Sequence, residues 1–180
     1  MMDQKLEIGD RAPDFNLPGV DGMHLSLSDL KDKKVLVVIF SCNHCPYAQA
    51  YEDRIIALQD EFKDQEVSFI AINSNDDKNY PEDSFKNMIK RARKKGYNFP
   101  YLRDESQKIA LDYGATHTPH IFVFNEERKL SYTGKIDDNW REPNKVKERY
   151  LRDAILSLVE GKKIDNPETY AIGCTIKWAR

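Results

Sequence analysis

Val35-Leu36-Val37-Val38-Ile39-Phe40-Ser41-Cys42-Asn43-His44-Cys45-Pro46 decides how this chain is read: six apolar residues without alternation, one serine, then two cysteines three positions apart. An unbroken apolar run of that length reads as a central strand covered on both faces. A strand that empties into Cys-x-x-Cys is a redox signature. The first sulfur then stands near the start of the following helix, where unpaired N–H groups and the helix dipole favour a thiolate. Residues three apart on a helical turn have Cβ atoms about 5 to 6 Å apart, so a small adjustment brings the pair to disulfide geometry.

Bulk properties limit the function without choosing it. The 180 residues suit a single domain, 1–180, with a full hydrophobic core. The 28 Lys and Arg against 30 Asp and Glu leave no global field for nucleic acid or an anionic membrane. Three cysteines are too few for a secreted disulfide scaffold. The opening Met1-Met2-Asp3-Gln4-Lys5-Leu6-Glu7 lacks the apolar core of a signal peptide, and no stretch is long and apolar enough to span a bilayer. A cytoplasmic address follows, and in a reducing cytosol an exposed Cys-x-x-Cys serves catalysis or metal binding more often than structure.

From residue 35 onward strands and helices alternate, which argues for an α/β layer fold with a largely parallel central sheet. Tyr51, Ile55, Leu58 and Phe62 form one stripe of the helix after the cysteines, and Val67 to Ile72 is a second buried strand. Strand, helix, strand in that order places the cysteines at the carboxyl edge of the sheet, where open α/β sheets carry their sites. The spacing then predicts a helix from Pro81 to Lys95, a strand from Phe99 to Leu102, and a helix opened by a capping box of Asp104 and Gln107 and ended by Gly114. A break at Thr116-His117-Thr118-Pro119-His120 follows. Ile121 to Asn125 and Lys129 to Thr133 read as a hairpin, and Asn144 to Glu160 as the last helix. Residues 1–34 read as an extension with a short hairpin, and 161–180 as a tail without periodicity that holds Cys174 and Trp178. The basic run Lys90 to Lys95 reads as a solvated helix C-terminus, where cations meet exposed carbonyls.

The order strand, Cys-x-x-Cys, helix, strand, then Thr118-Pro119, hairpin and helix resembles the thioredoxin fold. Gly9-Asp10-Arg11-Ala12-Pro13-Asp14-Phe15 with Ser28-Asp29-Leu30 resembles the opening of its redoxin branch, which joins peroxiredoxins of the alkyl hydroperoxide reductase and thiol-specific antioxidant type to thiol-disulfide reductases. The resemblance covers residues 6–160 and implies a thioredoxin core over 35–160 with an insertion at about 80–103. It implies a cis proline at Pro119 that exposes the backbone of Thr118 for an extended substrate to pair with. By the peroxiredoxin alignment Cys45, followed by Pro46, takes the peroxidatic position, yet Cys42 stands where the polarising threonine belongs and Thr118-Pro119 replaces the later arginine. By the thioredoxin alignment, Ser41 stands in place of a tryptophan, and the first strand lacks the buried acid that accepts a proton.

Three functions follow. The first is thiol-disulfide exchange, with Cys42 as attacking thiolate, Cys45 as resolving thiol and His44 tuning the thiolate when protonated. It requires no bound cofactor, and its partners are a protein or small-molecule disulfide and a thiol reductant. Pro46 cuts across these roles, since a proline at the first helical position makes Cys45 the N-cap. The second function is a thiol peroxidase with Cys45 peroxidatic. The third is a metal module using Cys42, Cys45 and His117 or His120, two thiolates and an imidazole that suit zinc or copper(I). Against these stand plainer readings: cysteines as small apolar side chains and histidines as solvated loop residues. Cys174 is either a further redox residue reaching in from the tail or buried packing beside Trp178.

Overall fold

The computed structural model describes residues 5–180, so the first four residues of the expected extension lie outside it. The chain runs β1 (Asn16–Pro18), β2 (His24–Ser26), β3 (Val35–Phe40), α1 (Pro46–Phe62), β4 (Val67–Asn73), α2 (Phe85–Lys95), β5 (Tyr101–Arg103), α3 (Lys108–Tyr113), β6 (His117–Thr118), β7 (His120–Phe124), β8 (Leu130–Gly134), α4 (Tyr150–Val159) and β9 (Cys174–Thr175). The central sheet has the order β5-β4-β3-β7-β8, with β3 in the middle. Its six apolar side chains are at most 1% exposed, and each contributes about 1.5 to 3 kcal/mol by leaving water. That burial on both sides is why the run shows no alternation.

The two faces of β3 separate cleanly by parity. Val35, Val37 and Ile39 pack with Tyr51, Ile55 and Phe62 of α1, Met88 and Ala92 of α2 and Leu151, Ala154 and Ile155 of α4. Leu36, Val38 and Phe40 pack on the other side with Ile109, Ala110 and Tyr113 of α3, Phe15 and Leu17 of the opening segment and Ile176 of the tail. The β1–β2 hairpin forms where the turn residues placed it, with Leu17 opposite Leu25. Among the described residues no helix is long and apolar enough to cross a membrane.

Four expectations are corrected. The sheet is mixed rather than largely parallel: β3–β4 and β4–β5 are parallel, β3–β7 is antiparallel, and β7–β8 is antiparallel because the tight turn after β7 returns the chain directly. The helix expected from Pro81 is divided into a 3-10 turn, Pro81–Asp83, and α2, which Ser84 caps by accepting the Asn87 N–H at 3.2 Å. Asp104 does cap α3, accepting the N–H groups of Ile109 and Ala110, but Gln107 does not complete a box; its amide donates to the carbonyls of Ser74 and Lys177. The last helix starts at Tyr150, not Asn144, because the preceding residues bond backwards: Lys147 N–H to the Asp138 carboxylate at 2.9 Å, and Asp138 N–H to the Glu148 carbonyl at 3.2 Å.

The 161–180 tail is a strap. Thr133 N–H donates to the Pro167 carbonyl and Thr169 N–H to the Thr133 carbonyl, covering β8, after which β9 pairs antiparallel with β6. Gly134 carries φ +140°, and a Cβ there would fall 2.1 Å from Thr169 Oγ1, so the close pass of the strap over β8 requires glycine.

Candidate active site

β3 delivers Ser41 to the carboxyl edge of the sheet, and the chain turns through Cys42-Asn43-His44 before α1 begins at Pro46 with Cys45 as its N-cap. The turn is held by a buried polar network. Asn43 N–H donates to Asp83 Oδ1 at 2.7 Å, Asn43 Nδ2 to the Glu82 carbonyl at 2.9 Å, and the Tyr101 hydroxyl to Asn43 Oδ1 at 2.7 Å. Asp83 also accepts from the amides of Asn73 and Asn75. Its charge is therefore solvated by side chains in place of water. The expected insertion thus has a structural task, as its 3-10 turn carries Asp83 and the Glu82 carbonyl up to the cysteine turn.

Cys42, Cys45, Ala48, Tyr47 and Cys174 form one cluster, with both Cys42 and Cys45 only 1% exposed. The thiols of Cys42 and Cys45 pack side by side, with opposite consequences for the two. The Cys42 thiol, donating to Cys45, lowers the pKa of Cys45, and the Cys174 thiol and the N–H groups of Ala48 and Cys174 reinforce this against burial. The Ala48 N–H is directed at the sulfur without closing a full cap hydrogen bond. Cys42 moves the other way, raised by its hydrogen bond to Cys45, then by burial and by the charge of Asp83. Sequence analysis assigned the attack to Cys42; because the helix starts one residue after Cys45, the dipole and free N–H groups fall on Cys45.

His44 Nδ1 lies 2.6 Å from Asp83 Oδ2, a close but poorly aligned approach, and its ring stacks on Tyr80 at 6.0 Å. Cys42, His44 and Asp83 bring their ligand atoms within 4.8 Å of one another. Among the described residues this is the one such group, and neither His117 nor His120 belongs to it. Strand alternation explains why. Thr118 faces the cysteines, so His117 beside it points away, while His120 shares the face of Phe122, with which its ring packs at 4.5 Å. Both histidines line a cleft of about 910 Å³ with Lys5, Tyr113, Lys135 and Tyr170. The metal set expected from Cys42, Cys45 and these histidines is therefore not assembled.

The Thr118–Pro119 peptide is cis, as the resemblance implies. Thr118 Oγ1 is 3.4 Å from Cys42 Sγ, and the Cys45 thiol donates to the Thr118 carbonyl at 3.4 Å. The backbone edge of Thr118, expected to be open for a substrate, is occupied by the protein's own β9, with Cys174 directly opposite Thr118. Asp83 escaped the sequence reading altogether. In Pro81-Glu82-Asp83-Ser84 it resembles an ordinary acid of a helix's first turn, and no local signal marks it as buried.

Sheet order, cis proline and the position of the cysteine pair together make this the thioredoxin fold, with a hairpin extension, an insertion and a paired tail. The Redoxin family model matches residues 7–149. The thiol-disulfide oxidoreductase ResA of Bacillus anthracis is 27% identical over 129 residues, 71% of this chain and 69% of its own. A bcp-type peroxiredoxin relative from Helicobacter pylori (strain J99) is 29% identical over 112 residues, 62% of this chain and 68% of its own. An uncharacterized conserved protein from Geobacillus kaustophilus superposes with a TM-score of 0.91 at 39% identity, covering 98% of this chain and 94% of that one. With a strand-borne cysteine pair seated under a cis proline and a family match over most of its length, the chain belongs to the Redoxin family of oxidoreductases.

Proposed function

We propose that the protein is a thiol-disulfide oxidoreductase working through Cys45 and Cys42, with Cys45 as the attacking thiolate. The observation that carries this reading is the placement of Cys45 at the N-cap of α1 with the Cys42 thiol packed beside its sulfur. Cys45 attacks one sulfur of a disulfide R–S–S–R′, forming Cys45–S–S–R and expelling R′S⁻. Cys42 then attacks the Cys45 sulfur, closing the Cys42–Cys45 disulfide and expelling RS⁻. Its proton passes to Asp83, the buried acid that β3 lacks and the insertion provides. A thiol reductant restores the dithiol. His44 holds the outer side of Asp83, and the Thr118 hydroxyl positions Cys42. The partners are a protein or small-molecule disulfide and a thiol reductant, and a reducing cytoplasm suits a chain with three free thiols.

A second reading, thiol peroxidase with Cys45 peroxidatic, is favoured by the N-cap position with Pro46 directly behind it. Cys42, however, replaces the polarising hydroxyl. The buried Arg103 is engaged with the Asn73 carbonyl at 3.3 Å and with Asp77 at 3.5 Å. Losing such a donor costs about 100- to 1000-fold in rate, so peroxide consumption is expected to be slow.

Insulin reduction and peroxide consumption, measured on the parent, Cys42→Ser and Cys45→Ser proteins, separate the readings. Cys45→Ser is expected to lose insulin reduction by more than about 100-fold, and Cys42→Ser to lose the Cys42–Cys45 disulfide that ends each turnover. Insulin reduction that persists in Cys45→Ser contradicts the proposal. Fast peroxide turnover surviving in Cys42→Ser moves the assignment to the peroxidase.

A further inference from the structure

The third cysteine lies against the first two. β9 pairs with β6 so that Cys174 lies opposite Thr118 and Thr175 opposite His117, on the edge an extended disulfide substrate would use. The backbone passes directly over the cis peptide: a Cβ on Gly173 would fall 2.1 Å from the Thr118 carbonyl oxygen and 3.1 Å from the Pro119 nitrogen. The strand is fastened beyond that point, with Ile176 N–H donating to the Thr116 carbonyl at 3.0 Å, Lys177 N–H to Asn75 Oδ1 at 2.9 Å, and the Ile176 side chain 3% exposed in the core. Cys174 then packs against the cluster of Cys42, Cys45 and Ala48, with its thiol and its backbone N–H both turned toward the Cys45 sulfur. A residue that merely fills space beside Trp178 would need neither contact.

We propose that Cys174 is a redox residue of this site, presented by β9 in the place of a substrate strand, and that it forms a disulfide with Cys45. The proposal rests on the reading of Cys45 as the attacking thiolate. Once Cys45 carries a mixed disulfide, the Cys174 thiol attacks the Cys45 sulfur; the Cys45–Cys174 bond forms, the Cys45–S–R bond breaks, and the proton leaves with RS⁻ as RSH. Cys42 then attacks the same Cys45 sulfur, giving the Cys42–Cys45 disulfide and returning Cys174 to the thiol. The external thiol reductant of the main cycle closes this one too, so no additional oxidant or reductant is involved. Before the first step Cys174 is held protonated, its pKa pushed up to about 11 by burial and then by the neighbouring Cys45. Oxidation of Cys45 removes the second of these effects, which eases deprotonation of Cys174 after the first step.

The full-length Cys42→Ser protein, whose remaining thiols are Cys45 and Cys174, tests this by oxidation with one equivalent of diamide, alkylation and non-reducing peptide mass mapping. The expected result is a monomer that has lost both thiols and carries a peptide joining Cys45 to Cys174. Two alkylated thiols, or only intermolecular dimers, overturn the proposal. Cys42→Ala repeats the measurement with a small apolar residue in the buried position, and a linked peptide in either variant is the expected sign. The Cys174→Ser protein keeps the two readings apart. A Cys42–Cys45 disulfide there, without a Cys45–Cys174 link in the Cys42 variants, sinks only the role of Cys174, whereas failure to form Cys42–Cys45 there sinks the dithiol reading itself.

Discussion

Two sulfurs three positions apart end up with opposite tendencies because the surrounding groups treat them differently. Cys45 receives the Cys42 thiol and the Ala48 and Cys174 N–H groups, all of which stabilise a thiolate, while Cys42 faces burial and the charge of Asp83. An ordinary thiol, near 8.5, is almost wholly protonated a pH unit or two below that value. The ultraviolet thiolate absorbance of the reduced parent is therefore expected to persist below about pH 7 and to disappear in Cys45→Ser. A signal that appears only above about pH 8 contradicts the assignment of Cys45. The sequence showed the pair and even the conflict raised by Pro46, but not its outcome, since the outcome depends on a thiol from the tail and a carboxylate from the insertion.

β9 is only two residues long and owes its place to the register against β6 and to one glycine. Gly173→Ala leaves composition and pattern almost unchanged, yet the new methyl would meet the Thr118 carbonyl oxygen at 2.1 Å. Overpacking against backbone costs about 1 to 3 kcal/mol, and in a protein of this size each kcal/mol lowers Tm by about 2 to 4 °C. Thermal unfolding of Gly173→Ala is expected to show that fall, while Gly22→Ala, whose Cβ would meet nothing within 4 Å, bears only the strain of its φ of +85°. A Gly173→Ala protein as stable as the parent means the tail does not lie on the proline turn. This strand was invisible in the sequence because Ala171 to Ile176 has neither length nor alternation. The long strands and amphipathic helices were legible because their own side chains record the burial.

The molecule as a whole is tied together by buried polar links between elements the sequence shows as separate. Glu52 on α1, 2% exposed, binds Arg91 on α2 and the Tyr97 hydroxyl, and Arg54 binds the Asp137 carboxylate at 2.8 Å. Glu52 and Gln59 share the inward face of α1 with Tyr51 and Ile55, where the apolar stripe alone was expected. His120 makes global stability depend on pH. Its Nδ1 accepts the Thr116 N–H at 3.2 Å, and burial, then the positive charges of His117 and Lys5, lower its pKa from 6.5 to about 3. Between those values the unfolded chain binds a proton that the folded one refuses. The contribution is complete above 6.5 and is lost as pH falls towards 3. Urea titrations at about pH 7.5 and 5 are expected to show a loss about 1 to 2 kcal/mol smaller in His120→Gln than in the parent. Equal losses in the two proteins contradict a neutral, covered His120.

The fold class, the central strand, the position of the cysteine pair and the proline beside it could all be read from the chain alone. Each of those is written in local pattern: apolar period, cap and turn residues, and spacing within one helical turn. Only the folded arrangement shows which sulfur faces the helix N-terminus, that Asp83 lies beside the cysteine turn, that His117 and His120 turn away from the cysteines, and that Cys174 lies opposite Thr118. Distance along the chain explains the division. Asp83 meets the cysteine turn at Asn43 across 40 residues and Cys174 meets the pair from the far end of the chain, through contacts that leave no period, spacing or composition in the segments they come from.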